Sequence, residues 1–515
     1  MRKPLRPVLL LLLASLVRLA AQSPDIDHPF PAAVAPGQTT EVTFFGEHLD
    51  GALKLWTSFP ARTELVRTNT TDAGRSTWRL TLPPDVPHGI GATRLVTSHG
   101  VSHWELMMID GLRTVASVDG NRTQGTAQEL KLPVAVEGRC EEGRLTYFKF
   151  AARKGQRIIV EAVATRLGSA LDPVVRLLNS GGRELVYSDD AEGLGSDARL
   201  TREIPVDGTC FIELRDAQYQ GGPQHRYRLR VGELSPAPLP FVSRAAFDTS
   251  KREDDTTVTV ETEPNDTPGH ATKFSLPATL RGRFAQVDDR DWFEFVAHKD
   301  QRIIFQGRLR TLGSSGDLYF SLHKTNGTRV AEAKVSGADD GSLTHTFAES
   351  GTYRLLAEEL NHRGGPECRY EINVQPAGPD FALTVETDKV EAPAGVEFEI
   401  RVKPVRRDYD GPITLRLSGA AGSWAITNHV IAAKSTNAVS LKATAPDKLK
   451  LGDLVHFTVQ GSGTNGEARI ATQAGAVSGR RRAAPAPVRL ARELDGVMAL
   501  GIKSGATSPA TGAAK

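Results

Sequence analysis

The sequence predicts an all-β protein built from tandem β-sandwich domains. Three observations lead to this prediction: the length, the abundance of turn-forming residues and an internal repeat. The chain has 515 residues, more than one hydrophobic core supports, and it contains 48 Gly and 30 Pro. Gly and Pro favour turns, and the short segments between them alternate apolar and polar residues with the period of a half-buried strand. The repeat then divides the middle of the chain into two similar domains.

Residues 1–21 have the pattern of a secretory signal peptide. A basic region ending at Arg6 precedes an apolar core at 8–17 and small residues at Ala20 and Ala21. The apolar core is too short to predict a membrane span, although an uncleaved anchor is the alternative. We therefore expect a protein that is secreted, periplasmic or at the cell surface, with no membrane span after signal cleavage.

The charge balance limits the possible partners. The chain has 63 Lys and Arg against 61 Asp and Glu, a net charge of +2, so no bulk field attracts nucleic acid or a membrane surface. The triple-Arg run Arg480–Arg482 lacks interleaved aromatic residues and favours a basic tail. We therefore expect no nucleic-acid partner.

Residues 22–112 are predicted to form an immunoglobulin-like domain. The segment Thr40–Gly46 alternates with a period of two and ends at a Gly turn, and a further strand is predicted at 92–97. The pattern from Gly46 to Gly51 resembles the IPT/TIG-type immunoglobulin-like fold.

Two segments, 115–234 and 259–377, repeat one another and predict two copies of a jelly-roll-like sandwich. We call them the first copy and the second copy. Lys154-Gly-Gln-Arg-Ile-Ile159 returns as Lys299-Asp-Gln-Arg-Ile-Ile304, and the offset holds at 143 to 145 residues along the repeat.

Three segments complete the predicted organisation. The Pro-rich segment 235–258 is predicted to be a linker. Residues 378–476 have longer strand patterns, such as Val396–Val402, and are predicted to form a second immunoglobulin-like domain. Residues 477–515, rich in Gly, Ala and Ser, are predicted to be a disordered tail.

The residues that predict a ligand-binding site lie in the second copy. Six oxygen-bearing side chains are close together in the sequence: Glu261, Glu263, Asn265, Asp266, Asp288 and Asp291. Their charges repel one another unless a cation gathers them, and calcium takes six to eight oxygen ligands in flexible geometry. A solvated acidic turn is the alternative.

The pattern Glu-x-Glu-x-Asn-Asp followed by Asp-x-x-Asp-aromatic resembles the bacterial pre-peptidase C-terminal (PPC) domain family, a β-sandwich. The resemblance implies that the six residues hold one Ca²⁺ ion. The first copy has Asp119-Gly-Asn-Arg122 and, within one residue, Glu142-Gly-Arg-Leu145 at the corresponding places. Because Arg122 and Leu145 do not ligate a cation, we expect the first copy to have lost the metal.

The three cysteines include a candidate pair. The repeat places Cys140 opposite Phe284 and Cys210 opposite Tyr353, so two aromatic positions are both Cys in the first copy. In an oxidising compartment this predicts a Cys140–Cys210 disulfide. The alternative is two independent buried thiols, since Cys packs as a small hydrophobic residue.

The sequence has no recognisable catalytic motif: no Gly-x-Ser-x-Gly elbow, no His-Glu-x-x-His helix and no Gly-rich phosphate loop. We therefore expect a non-enzymatic exported protein, stabilised by calcium, with four sandwiches in a row that present binding surfaces to an extracellular protein or polysaccharide ligand. One alternative is an accessory component of a secreted peptidase or hydrolase system. Another is a protein that binds polysaccharide or collagen-like ligands.

Overall fold

The computed structural model describes residues 22–68, 73–191, 194, 196–235, 239–242, 257–309, 317–333, 341–365, 368–419, 424–465, 468–476, 494 and 496–505. These residues form eight β-sheets that pack in pairs around apolar cores, which confirms the all-β, tandem-sandwich prediction. The predicted signal peptide lies outside the described residues. Within the described ranges, no helix has the length and apolar character needed to cross a membrane.

The first sandwich has nine strands: β1 (Asp25–Phe30), β2 (Ala33–Val34), β3 (Thr39–Glu47), β4 (Ala52–Thr57), β5 (Arg62–Thr68), β6 (Arg75–Thr81), β7 (Gly89–Thr97), β8 (Gly100–Val101) and β9 (Glu105–Ile109). One sheet has the order β1-β3-β6-β5 and the other β2-β9-β7-β4, with β8 beside β7. Phe44, Trp78 and Leu95 pack in the core between the sheets. Every residue of β7 is buried, because its outer face is covered by other domains.

The first copy has ten strands: β10 (Thr114–Ala116), β11 (Gln128–Glu129), β12 (Val134–Arg139), β13 (Thr146–Ala152), β14 (Arg157–Val163), β15 (Pro173–Leu178), β16 (Glu184–Ser188), β17 (Ala198–Glu203), β18 (Gly208–Asp216) and β19 (Arg226–Gly232). Its sheets have the orders β10-β12-β19-β14-β17 and β11-β13-β18-β15-β16. Short 3-10 turns lie at Gln124–Thr126 and Thr165–Leu167.

The second copy also has ten strands: β20 (Thr257–Val260), β21 (Thr272–Lys273), β22 (Ala278–Arg283), β23 (Arg290–Ala297), β24 (Arg302–Arg308), β25 (Leu318–Lys324), β26 (Arg329–Glu332), β27 (Ser342–Thr346), β28 (Gly351–Glu359) and β29 (Arg369–Pro376). Its sheets, β20-β22-β29-β24-β27 and β21-β23-β28-β25-β26, repeat the order of the first copy strand for strand. A 3-10 turn lies at Pro268–His270. The two segments that repeat in sequence therefore share one topology.

The last sandwich has eleven strands: β30 (Asp380–Val385), β31 (Lys389–Ala392), β32 (Glu397–Arg407), β33 (Ile413–Gly419), β34 (Ala425–Thr427), β35 (Val430–Ile431), β36 (Val439–Thr444), β37 (Leu454–Asn465), β38 (Ala468–Gln473), β39 (Gly475–Ala476) and β40 (Val497–Ile502). Its sheets have the orders β34-β36-β32-β30-β39 and β31-β40-β37-β33-β35, with β38 beside β37.

Strand β40 corrects the prediction of a disordered tail over 477–515. Its residues Val497–Ile502 are all buried, and the strand lies between β31 and β37 in the sheet. The reason is its apolar sequence, Val-Met-Ala-Leu-Gly-Ile, which completes the core of the last sandwich. Residues 477–493 and 506–515 lie outside the described part of the chain.

The predicted linker 235–258 is also shorter than expected. Val242 is buried in the core of the first sandwich, and the Ser58 hydroxyl donates to its carbonyl oxygen at 2.8 Å. Residues 257–260 already belong to strand β20. The chain thus returns to the first sandwich before it enters the second copy, and residues 243–256 of the predicted linker lie outside the described residues.

The four sandwiches do not lie in a row, contrary to the expectation. The first sandwich contacts the first copy through the ion pair of Asp110 with Arg228, 3.0 Å apart. It also contacts the last sandwich through the ion pair of Arg94 with Asp388, 2.9 Å apart. All four side chains are at most 2% exposed, so both contacts are buried interfaces.

The predicted Cys140–Cys210 disulfide is not formed. Cys140 and Cys210 are free, buried thiols, and Cys368 is buried as well. Cys140 and Cys210 belong to the same apolar core, where each packs as a small hydrophobic side chain. Burial raises the pKa of the Cys140 thiol to about 12, which disfavours the reactive thiolate.

Candidate metal centre

Two turns of the second copy meet at one corner of the sandwich. The first turn follows β20, which pairs in parallel with β22, and begins at Glu261. The second turn leads into β23. The backbone N–H of Trp292 donates to the carbonyl oxygen of Asn265 at 3.1 Å and holds the two turns together. Residues distant in sequence therefore share one site.

Three carboxylates converge at this corner. Oxygen atoms of Glu261, Glu263 and Asp291 all lie within 4.8 Å of one another. Asp291 is fully buried, whereas Glu263 is exposed, so the cluster extends from the interior to the surface. Such an arrangement gives a cation access from solvent and oxygen ligands on its inner side.

The side chain of Asn265 lies between two of these acids and is buried. With its nitrogen turned towards them, the amide donates to Asp291 Oδ1 at 3.0 Å and to Glu263 Oε2 at 2.9 Å. With its oxygen turned towards them, three acceptors face one another, and either a cation or a proton on one of the acids is needed to join them. Which orientation holds therefore depends on the occupant of the site.

Tyr370, on β29, fixes the inner carboxylates. Its hydroxyl donates to Asp291 Oδ2 at 2.6 Å and approaches Glu261 Oε2 at 3.3 Å. The backbone N–H of Arg283 donates to the other oxygen of Glu261 at 2.8 Å. These contacts orient both acids before any ligand binds.

The acids raise one another's pKa values. Burial and then the charge of Glu261 raise the pKa of Asp291 to about 9. Burial is also the main cause that raises the pKa of Glu261. Since both shifts disfavour the ionised forms, the site holds its negative charge at neutral pH only at a cost, which a bound divalent cation would offset.

Of the neighbouring acids, Asp266 and Asp289 lie beside the cluster, whereas Asp288 does not. Asp289, which the sequence analysis did not include, is 4% exposed, and its carboxylate accepts the backbone N–H of Ala285. Burial and the charges of Glu263 and Asp266 raise the pKa of Asp289, so these acids lie beside one another. Asp266 also accepts the backbone N–H of Arg290 at 3.4 Å.

Asp288, a predicted ligand, lies apart from this cluster. Its side chain is 71% exposed and its Oδ1 is 2.8 Å from Nδ1 of His362. The cause is backbone geometry: Asp288 has a φ of +63°, a left-handed turn that directs the side chain away. The period of two could have identified Asp289, because side chains two positions apart, such as those of 289 and 291, point to the same side.

Among the described residues of the first copy, no such cluster lies at the equivalent corner. The backbone N–H of Tyr147 donates to the carbonyl oxygen of Asn121 at 2.8 Å, as that of Trp292 does to Asn265. This places Thr146, not Leu145, opposite Asp291. The one-residue shift that the sequence left open is thus resolved.

Comparisons with known proteins are limited in extent. No family model matches the sequence. A segment of 69 residues, 13% of the chain, is 36% identical to the probable subtilase-type serine protease of Deinococcus radiodurans and spans only 9% of that protein.

Two solved structures show weak likeness. The pre-peptidase C-terminal domain of a Bacillus anthracis collagenase aligns over its full length with 22% of this chain, at 18% identity and a TM-score of 0.18. A DUF4785 family protein of Legionella pneumophila aligns over 60% of its length with 38% of this chain, at 13% identity and a TM-score of 0.15. These scores are too low to support an argument about function.

Proposed function

We propose that the chain is an exported, non-catalytic protein of β-sandwich domains whose second copy binds one Ca²⁺ ion. The observation that carries the proposal is the convergence of Glu261, Glu263 and Asp291 within 4.8 Å around the buried Asn265. Export is supported by the basic, apolar and small-residue order of residues 1–21.

The residues present fit calcium better than softer metals. Every donor is a carboxylate or amide oxygen, and neither His nor Cys belongs to the cluster among the described residues. Glu261, Glu263, Asp291 and the Asn265 carbonyl oxygen would hold the ion. Asp289 would take the place expected for Asp288, with Asp266 beside it.

Calcium would stabilise the corner because it replaces repulsion between acids with attraction to a shared cation. Glu261 follows the edge strand β20, whereas Asp291 belongs to β23 in the opposite sheet. An ion held by both would therefore tie the entrance of the second copy to its body. We expect about 2.7 kcal/mol of added stability when calcium is a hundredfold above its dissociation constant.

Calorimetric titration of the full-length protein, freed of metal by chelation, tests the proposal. We expect one binding event per chain, lost in the double variant Glu261→Gln, Asp291→Asn. The matched control is Asp288→Ala, which removes a nearby exposed acid that lies outside the cluster and should bind like the wild type. Absence of heat, or unchanged binding by the double variant, would contradict the site; loss of binding by Asp288→Ala would return the site to the ligand set expected from the sequence.

A role beside a peptidase is the second candidate. It is favoured by the 69-residue match to a subtilase-type serine protease. In this reading the chain would supply sandwich domains to a secreted proteolytic system whose catalytic centre lies on another polypeptide. The other alternative from the sequence is binding of a polysaccharide or a collagen-like ligand. No contact or surface of the described residues supports it.

A further inference from the structure

The first and last sandwiches meet at an interface that closes the chain on itself. We call it the end-to-end interface; its residues are Trp56, Arg94, Val101 and Trp104 of the first sandwich and Asp388, Glu391 and His456 of the last. At its centre, the Arg94 guanidinium donates to the carboxylate of Asp388 at 2.9 Å and to its backbone carbonyl at 3.0 Å. Both side chains are at most 1% exposed.

Polar contacts surround this ion pair. Lys389 Nζ donates to the carbonyl oxygen of Val101 at 2.5 Å, and the backbone N–H of Val101 donates to Glu391 at 3.1 Å. His103 Nδ1 lies 2.5 Å from the second carboxylate oxygen of Asp388. The cations Arg94 and Lys389 are thus each paired with an acid, Asp388 and Glu391 respectively.

His456, on β37, occupies the apolar part of the interface. Its ring stacks on Trp104 with an interplanar angle of 11° and a centroid distance of 5.5 Å. The Trp56 ring lies 4.5 Å away on the same sandwich as Trp104. The imidazole of the last domain therefore packs against two indoles of the first, which also contact each other at a centroid distance of 5.5 Å.

Two cations of the first sandwich lie near His456. Arg94 lies over the Trp104 ring, 3.7 Å from its centroid, and Lys54 is on the adjacent strand β4. Burial, followed by the charges of Arg94 and Lys54, lowers the pKa of His456 well below its usual 6.5. A proton on His456 would add a positive charge beside Arg94 and Lys54.

We propose that acidification opens the end-to-end interface by protonating His456. When the two sandwiches separate, the imidazole enters water and takes up a proton near pH 6.5. The open state therefore binds a proton that the closed state does not, and the closed state loses stability as the pH falls below about 6.5.

Asp388 does not titrate over the same range. Burial alone would raise its pKa, but the charge of Arg94 and the hydrogen bond from His103 outweigh it and hold the pKa far below the usual range. The Arg94–Asp388 pair therefore persists at pH 5.

Small-angle X-ray scattering and tryptophan emission of the full-length protein between pH 7.5 and 4.5 test the proposal. We expect a reversible rise in the radius of gyration and a red shift of the emission, with no loss of β-sheet circular dichroism. His456→Phe should remain closed throughout. His429→Gln, an exposed histidine of the same sandwich, should open like the wild type.

A third variant tests the electrostatic part. Lys54→Met removes one of the cations that oppose the proton, so the midpoint of opening should move to lower pH. The proposal is overturned if the wild type stays closed at pH 4.5, or if His456→Phe opens at the wild-type midpoint. Should His456→Phe fail to fold, His456→Gln, which is also uncharged, supplies the same test.

Discussion

The first and second copies have one topology, but the side chains at the equivalent corner differ in charge. In the second copy the corner gathers Glu261, Glu263 and Asp291. In the first copy Ser117 stands at the position of Glu261 and Thr146 at that of Asp291. Asn121 and Asn265 are retained, and each accepts the same backbone hydrogen bond. The scaffold is therefore common to both copies, and the charge is not.

Arg122 places a cationic side chain at the corner of the first copy. Its guanidinium lies 2.6 Å from the Glu141 carboxylate and donates to the Thr146 hydroxyl at 3.3 Å. At the equivalent position the second copy has Asp266. The first copy thus carries a cation as a side chain at the position where the second copy has an acid. Together with the acids at 261 and 291, this change gives the second copy the excess of carboxylates on which the proposed Ca²⁺ site depends.

The outer faces of the two copies differ as strongly. In the first copy Arg228 is fully buried, where it bridges Asp110 of the first sandwich and Glu137. The equivalent position in the second copy is Glu371, paired with Arg281, whose side chain is 54% exposed. At this position the first copy is therefore built into the assembly, whereas Arg281 of the second copy is largely exposed to solvent.

The largest expected effect concerns this difference. Arg228→Ala would leave Glu137 buried without its ion-pair partner and Asp110 paired with Arg230 alone, at a cost of about 3 to 5 kcal/mol. Glu371→Ala, at the equivalent position, breaks a partly solvated pair and should cost less than about 1 kcal/mol. Urea denaturation followed by circular dichroism measures both. Equal losses would show that the two faces are equally exposed in solution.

Features encoded by local sequence were predictable, and those that depend on packing were not. The strand patterns and the repeat predicted the fold class, and the density of acids predicted where the second copy gathers charge. The choice between Asp288 and Asp289 depends on one left-handed residue, which the acid pattern does not reveal. The contact of Arg94 with Asp388 joins residues 294 positions apart, so no local pattern could signal it.

The second prediction tests whether Arg122 replaces the ion. Arg122→Ala loses an ion pair and a hydrogen bond, both partly buried, so we expect about 1 kcal/mol of destabilisation. The loss should be the same in calcium and in chelator. Arg144→Ala is the matched control, because Arg144 approaches the same Glu141 at 3.4 Å but is 61% exposed, and it should change little. A loss that calcium restores would mean that the first copy also binds the ion.

The smallest expected effect is a gain in stability that depends on pH. Asp172 of the first copy is half-buried near Asp190 and Asp216, and burial followed by their charges raises its pKa from 3.8 to about 6. The folded state therefore holds a proton that the unfolded state releases, and stability falls as the pH rises from about 4 to 6. The equivalent Asp317 instead accepts a hydrogen bond from the Asn361 amide at 3.0 Å.

Asp172→Asn keeps the shape of the protonated side chain and removes the charge. At pH 7.5 we expect it to stabilise the protein by about 1 kcal/mol, since solvent screening reduces what the pKa shift alone implies. At pH 4 the wild-type carboxyl is largely protonated already, so the gain should vanish. Asp317→Asn should give no gain at either pH, because Asn361 already supports that carboxylate. Thermal melts of both variants at the two pH values measure the effect. A gain at pH 4 equal to that at pH 7.5 would show that packing, and not charge, distinguishes the two copies at this position.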